Sequence, residues 1–221
     1  MMTSAAHRFD GTAAANHEQP LFVLTTPTCE KVTSVLADPS RFGPAVRCFL
    51  SPFDALLDMV FLQRRNPDVV AAVLRSSRLP PAIFYSSCLR QRPLTLHVAW
   101  LAHENRLVAD EDGRLTRAAR AQAGQWRRRR QTPDVMVIET GTLAVLDRLH
   151  ERAGLFAWRD TLQIVRHWVA SPAEDTAALR RAVTALDAVE PTVVPAGAAE
   201  QLALYDPEGA RWHFVSRDLI L

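Results

Sequence analysis

Apolar and polar positions along the chain divide it into segments with a strand period and segments with a helix period. Leu21 to Thr26 is a short apolar run, β-branched in part, that suits a buried strand. A small polar residue followed by proline then recurs at Thr26-Pro27, Ser51-Pro52, Asn66-Pro67 and Ser171-Pro172. The polar side chain can cap a helix whose first turn holds the proline, and apolar residues at helical spacing follow each pair, so all four predict helix starts. Ser171 to Glu174 also completes a capping box. After Ser51, the stripe Phe53, Leu56, Leu57, Val60 and Phe61 predicts one helix, and Val69, Val70, Val73 and Leu74 predict a second packed beside it.

The middle of the chain changes period. Ile83 to Tyr85, Leu94 to Trp100 and Arg106 to Ala109 are rich in strand formers and separated by proline or polar breaks. Alternation puts Leu94, Leu96, Val98 and Trp100 on the core face of one strand, and Thr95, His97, Ala99 and Leu101 on the other. His103 to Asn105 reads as the turn of a hairpin. Arg114 to Arg130 is a long basic stretch that Gly124 interrupts if it is helical, and Val135 to Glu139 is a further strand. From Thr142, helical spacing returns: Leu143, Leu146, Leu149 and Ala153 line a helix that Gly154 stops. Trp158, Leu162, Val165, Trp168 and Val169 line the next, and Leu179, Ala182, Val183 and Leu186 a third. Leu202 and Leu204 lie across Asp206-Pro207-Glu208-Gly209 from Trp212 and Phe214, which predicts a closing hairpin.

These elements neither alternate strictly nor fall into two blocks, so they predict an α+β fold with a mixed or antiparallel sheet packed with several helices. A helical subregion over 142–188 and a hairpin over 201–216 belong to its C-terminal half. An open α/β sheet is the competing arrangement. Residues 1–20 are small, polar and aperiodic and read as a flexible tail, leaving 21–221 as one globular domain. No segment repeats at a fixed period, which argues against a solenoid.

Composition narrows the setting. With 221 residues, 48% of them hydrophobic, the chain can bury a substantial core. No apolar run approaches the roughly 20 residues of a membrane-spanning helix, and the first twenty residues lack the apolar stretch of a secretory signal. Cys29, Cys48 and Cys88 are odd in number and widely spaced, which fits reduced, buried thiols better than a disulfide framework or a zinc knuckle. A cytoplasmic protein is expected. Lys31 is the only lysine, and abundant alanine accompanies the arginines, as in a GC-rich bacterial coding sequence. The net charge of +2 decides little, because charge distribution matters more than the total.

Candidate chemistry is sparse. The glycines form no phosphate-cradling GxGxxG or GxxxxGK loop, and no GxSxG elbow occurs. His97 and His103 fall on one face if their strand runs unbroken through both, with Glu104 adjacent and Cys88 a possible neighbour. Without an HExxH-like spacing they read as a strand residue and a turn cap, so neither metal nor cofactor is expected. Asp54 and Asp58 share a helix side; Asp54 suits the positive helix N-terminus and Asp58 a solvated edge. Trp158, Trp168 and Trp212 read as core packing.

One feature is left over. Arg114, Arg117, Arg120, Trp126, Arg127, Arg128, Arg129 and Arg130 occur with no acidic residue between Asp112 and Asp134. Such a segment suits an acidic protein surface, and equally phosphates with Trp126 stacked on a base. The expected function is therefore a non-catalytic protein-interaction module, such as an adaptor, accessory factor or toxin-neutralising partner, that uses these arginines and this tryptophan as its binding residues. A nucleic-acid-binding protein using the same arginines is the first alternative, and an enzyme with dispersed residues such as His97, His103 or Cys88 the second.

Overall fold

A computed structural model describes residues 18–27, 33–40, 43–84, 92–122, 136–168 and 172–219. The fold is α+β, with an eleven-stranded mixed sheet and four α-helices among the described residues. In chain order the elements begin with β1 (Glu18–Gln19), β2 (Phe22–Pro27), β3 (Thr33–Val35), β4 (Ala37–Asp38), β5 (Ala45–Phe49), α1 (Pro52–Arg65) and β6 (Ala72–Arg75). The sequence continues through β7 (Leu94–His103), β8 (Arg106–Ala109), β9 (Arg117–Gln122), β10 (Met136–Val137), α2 (Thr140–Arg152), α3 (Trp158–Trp168) and α4 (Pro172–Asp187). It closes with β11 (Thr192–Val193), β12 (Gln201–Asp206) and β13 (Arg211–Ser216). β1 and β10 form a separate antiparallel pair. No described helix is long and apolar enough to cross a membrane.

Of the four polar-proline pairs, Ser51-Pro52 behaves as expected. The Ser51 hydroxyl accepts the Phe53 and Asp54 amides at 3.2 and 3.3 Å and Pro52 opens α1. Pro172 opens α4 as predicted, while Ser171 lies outside the described residues. The other two pairs depart from expectation. Thr26-Pro27 ends strand β2, paired with Ser34 and Thr33, and Asn66 is the C-cap of α1, its amide donating to the Leu62 carbonyl. The β-branched residues beyond Asn66 lead into the strand β6 instead of a second helix, as their stiff χ1 angles favour. Ile83 ends a short 3-10 turn instead of beginning a strand, and Tyr85 lies outside the described residues.

β7 is the spine of the sheet. Over its ten residues it pairs with β5 in parallel and with β12 antiparallel along one edge, and with β9 and β8 antiparallel along the other. Both faces of the sheet are covered, so β7 is buried almost throughout. Leu21, Val23, Cys48, Leu202 and Leu204 face one apolar layer, completed by Leu143, Leu146 and Leu149 of α2. Phe22, Leu24, Phe49 and Ala203 face the other, completed by α1 and by Ala178, Ala182 and Leu186 of α4. The helices of 142–188 thus divide between the two faces rather than stacking as one block.

A β-bulge resets the alternation along β7. His97 pairs with Ala119 and Ala99 with Ala118, leaving Val98 as the extra residue. Leu94, Leu96, Val98, Ala99 and Leu101 consequently join the α2 layer, while Trp100 and Ala102 join the α1 layer. The expected placement of Trp100 and Leu101 is exchanged. The hairpin between β7 and β8 forms as predicted, with Glu104 and Asn105 at φ 50° and 57°, the left-handed pair of a tight two-residue turn.

Candidate functional site

The arginines at 114, 117 and 120 would align on a helix, but residues 117–122 form a strand, and three residues along a strand reverse the face. Arg117 therefore turns inward beside Phe49, with its side chain only 6% exposed, while Arg120 is exposed on the opposite face. Arg114 is exposed in the turn between β8 and β9, where its amide donates to Asp110 at 2.7 Å. Trp126 and Arg127 to Arg130 lie outside the described residues. The structure thus brings Arg114 and Arg117 to one cleft and turns Arg120 away from it.

Arg117 belongs to a buried charge network that the sequence did not suggest. Arg47 on β5 donates through Nε and Nη2 to Asp38 at 3.0 and 2.7 Å and through Nη1 to Asp58 at 2.6 Å. Thr95 donates to the other Asp38 oxygen at 2.6 Å, which also pairs with Arg117; Arg117 Nη2 in turn donates to Thr95 at 3.0 Å. The strand order makes this possible: β4, β5, β7 and β9 are consecutive neighbours, Arg47 lies opposite Thr95, and Asp38 and Arg117, which lie opposite Ala45 and Trp100, reach that pair through their side chains. Asp58 completes the set from α1. Its carboxyl is raised by burial and drawn back by the charge and hydrogen bond of Arg47, so the solvated edge expected for Asp58 is replaced by a buried ion pair. Burial lowers Arg117 to about 9, which leaves it cationic near neutral pH, and its Nη1 is buried without an acceptor among the described residues.

Above this network opens a cleft of about 710 Å³. Arg47, Thr95 and Arg117 contribute to its lining, joined by Asp110, Glu111 and Arg114 from the β8–β9 turn and by Pro39, Val193 and Pro195. Val193 is 64% exposed, so the wall offers apolar as well as charged contacts. β9 is held in place at its far end by Gln122, which donates to Thr142 of α2 at 2.5 Å and accepts the Glu139 amide at 3.3 Å.

The histidines do not converge. The Val98 bulge sends His97 and His103 to opposite faces. His97 is buried against Phe49 and Trp100, with ring centroids at 5.3 and 4.4 Å, and burial lowers it to about 3, with Arg47 and His150 adding to the effect. His103 is half-exposed and shares a 2.5 Å hydrogen bond with Glu200, which raises its pKa; Glu200 is lowered chiefly by the Glu104 amide it accepts. Cys88 and Cys29 lie outside the described residues, and Cys48 is a buried thiol pushed up to about 12 by burial. Among the described residues no group of three or more metal-ligating side chains is gathered. Trp158, Trp168 and Trp212 pack against the two cores, as expected.

Comparison with protein-family models, with curated proteins and with solved structures finds no significant match, so the cleft is interpreted from its own chemistry.

Proposed function

We propose that the protein is a non-catalytic interaction module that receives an acidic segment of a partner protein in the cleft beside β9. Arg114 at the rim makes the first contact. The observation that carries this reading is the cleft itself, which joins Arg114 and the incompletely partnered Arg117 to exposed apolar surface at Val193. Its charge is mixed, because Asp110 and Glu111 stand beside the arginines. A nucleic-acid strand presents an unbroken line of phosphates and offers Asp110, Glu111 and Val193 no partner, whereas an acidic protein segment can also carry the basic and apolar side chains that these residues accept. The placement of Arg117 and Arg120 on opposite faces also breaks up a continuous phosphate track.

Fluorescence anisotropy with a labelled Glu-rich peptide and a labelled oligothymidylate tests the proposal on the full chain. Saturable peptide binding is expected, weakened about tenfold or more by Arg114→Glu. Retention of the oligonucleotide alone, with affinity falling steeply as salt is added, would transfer the assignment to nucleic acid.

A further inference from the structure

We propose that a second, smaller pocket, bounded by the first turn of α1, helices α2 and α3 and the β12–β13 hairpin, binds a compact primary ammonium group between the Asp54 carboxylate and an aromatic wall. The pocket stands apart from the cleft and from the arginine segment. It has room for about 50 Å³, enough for a head group of a few heavy atoms.

Its walls supply acceptors and ring faces. Phe53 stacks on Tyr205 with centroids 5.2 Å apart, and Trp158 stacks on His150 at 4.5 Å; all four side chains line the pocket. Asp54 and Asp206 bring carboxylates from α1 and β12. The His150 Nδ1–H donates to the Leu146 carbonyl at 2.8 Å, and burial holds the ring neutral by lowering its pKa to about 4, so its other nitrogen is an acceptor. The hydroxyls are already engaged: Thr161 donates to Glu208, and Ser51 hydrogen-bonds Asp54 while accepting two α1 amides. In a chain with 26 lysines and arginines, none lines this pocket.

A ligand must therefore bring donors and positive charge. An ammonium carries three N–H donors, and the faces of Tyr and Phe attract it; the Trp158 ring already has the Arg159 guanidinium over it at 5.4 Å. A carboxylate at a helix N-terminus needs no ligand when water solvates it. Asp54 differs because it is half-buried at the wall of a partly open pocket, and among the described residues no basic side chain pairs with it. The lack of a counter-ion is reflected in its carboxyl, which burial pushes up to about 7 against the opposing Ser51 hydrogen bond.

The test titrates the full chain with n-propylammonium and, separately, with neutral 1-propanol, following the indole N–H resonance of Trp158 by NMR. A saturable shift with propylammonium is expected at millimolar concentration, with none of comparable affinity for propanol. Asp54→Asn keeps the side-chain shape and weakens binding by about tenfold or more. Leu155→Phe, which adds bulk to the pocket wall, abolishes the shift and serves as a second test should the Asp54 variant misfold. Equal binding of amine and alcohol, unchanged binding in a folded Asp54→Asn variant, or no saturable shift up to about 100 mM overturns the proposal.

Discussion

Arg47 sits between two carboxylates, and for Asp58 it is the one ion-pair partner among the described residues. With its side chain 15% exposed, it bridges Asp38, 17% exposed, and Asp58, 6% exposed. Replacing it by Met keeps the packing volume but strands Asp58 as a buried negative charge. Arg47→Met is therefore expected to cost about 3–5 kcal/mol in equilibrium urea unfolding, as breaking a buried ion pair does. The double change Arg47→Met, Asp58→Leu should recover most of that loss, because it removes both charges of the Asp58 pair while Asp38 keeps Arg117 as its partner; a double variant as unstable as the single one would show that the network contributes more than mutual compensation. None of these partnerships was legible in the sequence. Asp58 has Asp54 as its helical neighbour, and nothing local indicates that a strand residue eleven positions earlier, Arg47, reaches it. Arg117 belongs by sequence to a basic segment whose local structure is open, and only its place in a strand turns it inward beside Phe49.

At the level of elements, local signals worked where the whole requirement was local. Ser51 and Pro52 start α1 because the cap and the fixed proline dihedral act within one turn. Gly154 ends α2 as predicted: at φ 76° it allows its amide to reach Glu151 at 3.0 Å and the Leu155 amide to reach His150 at 2.8 Å. Ser51→Ala removes the acceptor for two α1 amides and is expected to lower stability by about 1 kcal/mol, read as a shift in the urea midpoint with an unchanged slope. No shift would mean that Pro52 and packing suffice to fix the start of the helix. Asn66-Pro67 carries the same kind of signal as Ser51-Pro52, yet it closes α1. A cap residue marks a boundary, and the residues on its C-terminal side decide whether a helix starts or stops there; beyond Asn66 the branching of the valines is a better guide than their spacing. The Val98 bulge lay beyond reach, since it exists only relative to β9.

For the molecule as a whole, burial of an acid and of a base links stability to pH in opposite senses. Asp54 has its pKa raised from 3.8 to about 7 in the fold, so between those values the folded state holds a proton that the unfolded state has lost. Its contribution falls as pH rises through that window. His97 is lowered from 6.5 to about 3, so the unfolded state binds the extra proton there and stability falls as pH drops. Asp54→Asn should accordingly gain on the parent protein as pH is raised from about 5 to about 8, measured by urea unfolding at each pH. A difference that stays flat would show Asp54 titrating as an ordinary carboxylate. The α+β class, the start of α1 at Ser51-Pro52, the stop of α2 at Gly154, the two hairpins and most core residues were determined by the sequence itself, because periodicity, turn dihedrals and end capping act over a few neighbouring residues. The two apolar layers, the exchange of Trp100 and Leu101, the charge network under the cleft and the pocket around Asp54 were decided only by tertiary structure. Each joins residues far apart in the chain, and the partner that defines its chemistry is supplied by strand order and packing.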